Sequence, residues 1–192
     1  ASFATATDTP GFESVATVSF TTAGRVEVGG KVVLVMPDES SGAQHGWRFT
    51  DGASTSTETS GTSNTPAILF TTPSSSKPTG TAVVYTLSTR TLVFTVGAND
   101  LAQGASHVFT ISNVLTPSSV VGVNNMVATT QDSEDKSVDT TSTMSTDQIT
   151  AGALTSASFA TATDTPGFES VATVSFTTAG RVEVGGKVVL VM

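Results

Sequence analysis

The chain has no cysteine, so neither a disulfide nor a thiolate metal site can brace it. Aromatic polar residues are nearly missing too, with one tryptophan, Trp47, and one tyrosine, Tyr85. Histidine occurs twice, as His45 and His107, far apart and with no Ser/His/Asp spacing around either. Charge is scarce: 12% of residues are Asp, Glu, Lys or Arg, against about a quarter in ordinary domains. Lysine and arginine number 8 against 16 acidic residues, a net charge of −8. That balance argues against a nucleic-acid footprint, which needs a basic stripe, and against binding to an anionic membrane surface. No apolar run approaches the roughly 20 residues of a membrane helix. Helix-type periodicity with sensible caps is absent as well. No residue set for an enzyme, a cofactor or a structural metal remains, and none is expected.

What is abundant is serine and threonine, 61 of the 192 residues, a hydrated but nearly uncharged surface of the kind found on secreted β proteins. The other conspicuous feature is a repeat. Residues 1–36, ASFATATDTPGFESVATVSFTTAGRVEVGGKVVLVM, recur without a single change at 157–192. An identical segment at a fixed offset marks an array of like units. The expected organisation is therefore one full unit over 1–156, followed at 157–192 by the first strands of the next unit, or by strands donated to complete a sandwich.

Short apolar-alternating runs bounded by Gly, Pro, Asn, Asp and Ser fill the unit, as strands do. They lie at Ser2–Ala6, Ser14–Thr22, Lys31–Met36, Gly46–Thr50, Pro66–Thr71, Thr81–Leu87, Arg90–Val96, Ser106–Val114, Asn125–Gln131 and Ser137–Ser142. Lys31–Met36 is apolar on both faces and should be a central strand. Val83, Tyr85, Leu92, Phe94 and Val96 are core candidates. Polar loops are expected over Ala53–Thr65 and Thr72–Gly80, an acidic turn at Asp132–Lys136, and an inter-unit linker at Ser145–Ser156. The class expected is all-β, with antiparallel immunoglobulin-like (Greek-key) β-sandwich repeats; a closed barrel is the alternative.

Three segments, Ala16–Glu39, Ser106–Ser119 and Ala128–Ser145, together carry an apolar strand, a Gly-Gly entry, a strand closed by Pro, and an F-T-I-S strand closed by Pro. In these the chain resembles the tandem β-sandwich repeats of extracellular surface fibre proteins of algal and bacterial type. The resemblance implies a structural, extracellular protein whose repeats assemble with further copies of themselves into a fibre or filament. It brings no active-site residues with it. The alternative is an adhesin or glycan-binding stalk module, for which Trp47 beside Asp38, Glu39 or Asp51 would be the stacking platform.

Candidate sites follow from composition. The hydroxyl- and proline-bearing tracts offer positions for O-linked glycans at Ser54, Thr55, Thr57, Thr71, Thr72, Pro73, Ser74, Ser75, Pro78 and Thr79; no Asn-X-Ser/Thr sequon exists. Asp132, Glu134, Asp135 and Asp139 form the densest acidic cluster, a weak Ca²⁺ candidate lacking EF-hand spacing. Lys31 and Lys136 are formally available for a cross-link to Asn99, Asn113 or Asn124. For packing between repeats the apolar strand residues are expected: Val15, Val18, Phe20, Val33 and Val35, with Val171, Val174, Phe176, Val189 and Val191 in the second copy. That second copy should itself be ordered β structure, buried on its own chain or on a neighbouring one.

Overall fold

In the computed structural model, residues 1–37, 46–49, 63–64, 66–72 and 79–191 are described. The described residues form thirteen strands: β1 (Ser2–Thr5), β2 (Glu13–Thr21), β3 (Lys31–Val35), β4 (Arg48–Phe49), β5 (Ser63–Asn64), β6 (Ile68–Thr72), β7 (Thr79–Thr86), β8 (Thr91–Ala98), β9 (Ser106–Leu115), β10 (Asn125–Gln131), β11 (Ser137–Ser145), β12 (Thr155–Thr161) and β13 (Ala172–Thr177). The described residues contain no α-helix, only a short 3₁₀ turn over Leu87–Thr89. The all-β, antiparallel-rich class read from the sequence is what forms.

Eleven strands make one continuous sheet in the order β4-β9-β2-β1-β11-β10-β3-β8-β7-β5, with β6 also pairing to β9. The sheet curls until it is nearly closed, like a barrel. Rings from its two ends meet: Phe49 of β4 lies 4.8 Å from Tyr85 of β7, and Phe70 of β6 lies 5.7 Å from Phe94 of β8. β1 is the narrow crossing point. It pairs antiparallel to β2 over four residues but meets β11 through the single parallel pair Ser2 and Ser145.

The alternation seen in the sequence sets the faces. In β2 the side chains of Ser14, Ala16 and Val18 point inward. In β3 Val32 and Leu34 do so, and β3 lies between β8 and β10 as its double-sided apolarity requires. Phe94, Phe109 and Phe70 pack as a ring cluster at the centre, with centroids 5.0–5.7 Å apart. The β7–β8 connection turns through Arg90, whose φ of 55° is left-handed and which follows the 3₁₀ turn. Two isolated bridges outside the strands, Val26 with Leu101 and Val121 with Ile149, join buried residues of the connecting segments.

The second bridge corrects one boundary. Ser145–Ser156 is not all linker. Thr146 and Ile149 are buried in the first unit, and the Ile149 N–H donates to the Val121 carbonyl at 2.8 Å. Of the polar loops, 53–62, 65 and 73–78 fall outside the described residues, while Ser63–Asn64 and Thr79–Gly80 prove to be strand.

Candidate functional site

The second copy stands apart from this sheet. β12 and β13 form a two-stranded antiparallel hairpin of their own. Its register reproduces that of β1 and β2 residue for residue. Phe3 pairs with Val18 and Thr5 with Ala16; Phe159 pairs with Val174 and Thr161 with Ala172. The small contacts recur too. Ser2 and Ser19 hydroxyls lie 2.7 Å apart, as do those of Ser158 and Ser175. The Thr7 N–H donates to the Ser14 hydroxyl, and the Thr163 N–H to that of Ser170. Gly29 and Gly185 both take a φ of 89°.

What differs is cover. Phe3 is 1% exposed and Phe159 57%; Leu34 is 0% exposed and Leu190 56%. In the first copy β2 pairs with β9, and β3 with β8 and β10. The second copy has no such partners, and residues 187–191, identical to β3, form no strand. The expectation that this segment is buried on its own chain is therefore overturned. Val171, Val189 and Val191 are exposed, Val174 is 36% exposed and Phe176 is half-buried. Hairpin register is a local property that turn and side-chain pairing settle, whereas a central strand exists only between neighbours.

The contacts that hold the second copy to the first unit lie elsewhere, in its loop 178–186. The Arg181 N–H donates to the Gly11 carbonyl at 3.1 Å. The Glu183 carboxylate accepts from Arg48 at 3.0 Å and lies 3.4 Å from Arg181. Arg48 and Glu183 side chains are only 10% and 9% exposed. The fit is close: a Cβ on Gly180 would strike the Pro10 carbonyl, one on Gly11 the Arg181 carbonyl, and one on Gly152 the Ala179 side chain. A cleft of about 450 Å³ runs along this joint between Thr9–Pro10 and 178–183. None of the apolar packing candidates makes it. Val18 is buried inside its own unit, Phe20 packs on His107 and Phe109, Val33 and Val35 are half-buried and Val15 is exposed. No sequence signal singled out Glu183 or Gly180, since Glu27 and Gly24 are the same residues in a different setting.

The remaining candidates are scattered. Asp132 caps its own turn, accepting from the Glu134 and Lys136 N–H groups at 2.9 Å. Asp135 pairs with Lys31, and Asp139 accepts from the Gly24 N–H at 3.0 Å and from Thr130 at 3.1 Å. Three of the four carboxylates of the cluster are thus turned to separate tasks. Among the described residues no group of three or more His, Asp or Glu is placed to hold a metal ion. Asn99 and Asn113 both take a left-handed φ of 57°, Asn113 at the irregularity of β9 opposite Ser14–Ala16, and Asn124 accepts from the Asn125 N–H. Trp47 is interior, edge-on to Phe3 at 5.2 Å, and the buried Tyr85 hydroxyl donates to the Trp47 carbonyl at 3.2 Å. Neither ring is offered to a sugar. Of the hydroxyl candidates, Thr71 is exposed on β6, where it donates to the Val108 carbonyl; Thr72 is half-buried and Thr79 lies in β7. Ser54, Thr55, Thr57, Pro73, Ser74, Ser75 and Pro78 lie outside the described residues, as do His45, Asp38, Glu39 and Asp51. Among the described residues no helix is long and apolar enough to cross a membrane. No protein-family model, curated protein or solved structure matches the chain.

Proposed function

We propose that the chain is a structural module of an extracellular fibre, in which like units follow one another in tandem and further copies of the chain are the partners. The observation that carries this reading is the second copy. It folds the same hairpin in the same register, outside a body whose own strands are complete. On this reading each unit is an immunoglobulin-like Greek-key sandwich. The strand order supports it: divided at β1, the path gives β4/β6-β9-β2 on one side and β11-β10-β3-β8-β7-β5 on the other. A first strand shared between two sheets and parallel to the last strand suits that family of sandwiches.

The polar, hydroxyl-rich surface of such a fibre would carry O-linked glycans, with the exposed Thr71 as the first position to inspect. Electron microscopy of native material tests the assembly. Filaments with a regular axial repeat are expected, and a field of isolated globules would overturn the reading. Mass analysis of native peptides across 71–79 tests the glycans; unmodified peptides there would end that part.

A further inference from the structure

An antiparallel sheet with one face in water usually alternates apolar residues inward with polar ones outward. The outer side of β7-β8-β3-β10-β11 in the first unit breaks that rule. Inward, Leu92 and Phe94 of β8, Val32 and Leu34 of β3, and Met126 and Ala128 of β10 are buried. Outward, the strand registers align two rows. One is Val84, Val93, Val33, Thr129 and Thr140. The other is Thr86, Thr91, Val35 and Val127. Every residue in both rows is β-branched and none is charged. Val84 and Val127 are 40% and 37% exposed, and Val33, Val35 and Val93 are half-buried among their neighbours. Three of the threonine hydroxyls are satisfied within the chain. Those of Thr129 and Thr140 lie 3.2 Å apart, and that of Thr91 donates to the Thr89 carbonyl at 3.0 Å. Covering these rows therefore strips little water from polar groups.

We infer that this face packs on the same face of a second copy of the chain, about a two-fold axis that passes over Leu34 and runs across the strands. β3 is the middle strand of the five, and Leu34 lies between the rows. The axis sets Val33 of one copy over Val35 of the other and each row over its neighbour, an isologous contact. β-branched rows interdigitate in this way between the sheets of a sandwich, about 10 Å apart. Charge favours both the partner and the axis. Two chains of net charge −8 repel, and this contact desolvates no charge. The turn 132–136, with three carboxylates and one lysine, adjoins the Lys31 end of the rows, because Gln131 pairs with Lys31. An axis along the strands would leave both turns at one end; the axis across them sends the turns to opposite ends. A sugar would need an exposed ring to stack on, and the rows hold none. Two rows across five strands cover roughly 300 Å² per copy, short of the roughly 1,000 Å² in total that a stable pair needs. A single contact is accordingly weak. Where units follow in tandem, a clause that rests on the fibre reading, the face recurs in every unit and the contacts add by avidity.

Trapping tests a weak contact, and the absence of cysteine provides a clean background for it. Full chains carrying Val33→Cys and Val35→Cys are mixed in equal amounts and treated with a short bismaleimide that spans the gap of about 10 Å between packed sheets. The mixed dimer is expected in excess of the half-share that random coupling gives. It should also form faster than the Leu69→Cys chain couples to itself, although Leu69 is 64% exposed on β6. Val127→Lys in both chains should abolish the excess and leave their thermal midpoints unchanged. A mixed dimer at or below the random share, coupling no faster than that of Leu69→Cys, or an excess that survives Val127→Lys would each overturn the inference. The fibre reading is judged separately, by microscopy of native material.

Discussion

At the scale of single residues, the protein uses its hydroxyls as loop anchors as well as surface. Thr22, buried, donates to the Ala102 carbonyl at 2.6 Å. Thr116, equally buried, donates to the Thr9 carbonyl at 2.6 Å while accepting from the Phe12 N–H at 2.9 Å. A third of the chain reads as polar, yet part of that polarity satisfies backbone groups that loops would leave unpaired inside. His107 is the exception. It is buried against Phe20, and neither ring nitrogen makes a well-formed hydrogen bond. Burial pushes its pKa below the ordinary histidine value, with the nearby Ala102 backbone opposing in part. The neutral ring is therefore the folded form, and the unfolded chain binds the proton more readily. The contribution is fully present above the unfolded pKa of about 6.5, and is lost as pH falls from there toward the folded value. Thermal midpoints measured from pH 7.5 to 5 should decline for the native chain and decline less for His107→Phe, which keeps a ring on Phe20. Parallel curves for the two chains would show that His107 does not govern the acid limb.

At the scale of elements, the chain contains its own control experiment. Thirty-six residues occur twice, and the two settings divide what is local from what is not. The turn at Gly11 and its counterpart at Gly167, both of positive φ, appear in both copies, as does the hairpin register. The strand at Lys31–Val35 appears only where β8 and β10 flank it. This is also why the sequence was readable where it was. Period-two alternation in Ser14–Thr22 and Ser106–Val114 placed β2 and β9 within a residue or so. The Val26–Leu101 and Val121–Ile149 bridges, and the burial of Ile149, were not legible because a single apolar residue in a polar stretch carries no period. The joint was illegible for a stronger reason: identical residues cannot announce which copy will pack where. Trypsin should read the same division. Lys187 and Lys31 sit in identical sequence, but only Lys31 begins a strand paired on both sides. Cleavage after Lys187 is expected before any cut after Lys31, because protection follows the local opening free energy. Simultaneous cleavage at both sites, followed by mass spectrometry, would mean that the two copies are equally ordered in solution.

At the scale of the whole molecule, one loop sequence meets two settings. In the first copy the space beside Gly24 is filled by Val138. In the second, the space beside Gly180 is filled by Pro10. The carboxylates show the same division. Glu27 is 73% exposed, while Glu183, in the joint, is 9% exposed against Arg48. Removing the charge at 183 therefore weakens the joint, while removing it at 27 does not. Breaking a buried ion pair by neutralising one partner costs about 3 kcal/mol, which converts to roughly a 100-fold change in an equilibrium constant. Glu183→Gln is accordingly expected to speed trypsin cleavage after Arg181 by up to that factor, because cleavage follows the local opening of the loop. Glu27→Gln should leave that rate unchanged, since residue 27 meets the solvent. Equal rates of cleavage after Arg181 in the Glu183→Gln and unaltered chains would mean that the pair of Arg48 and Glu183 does not hold the joint.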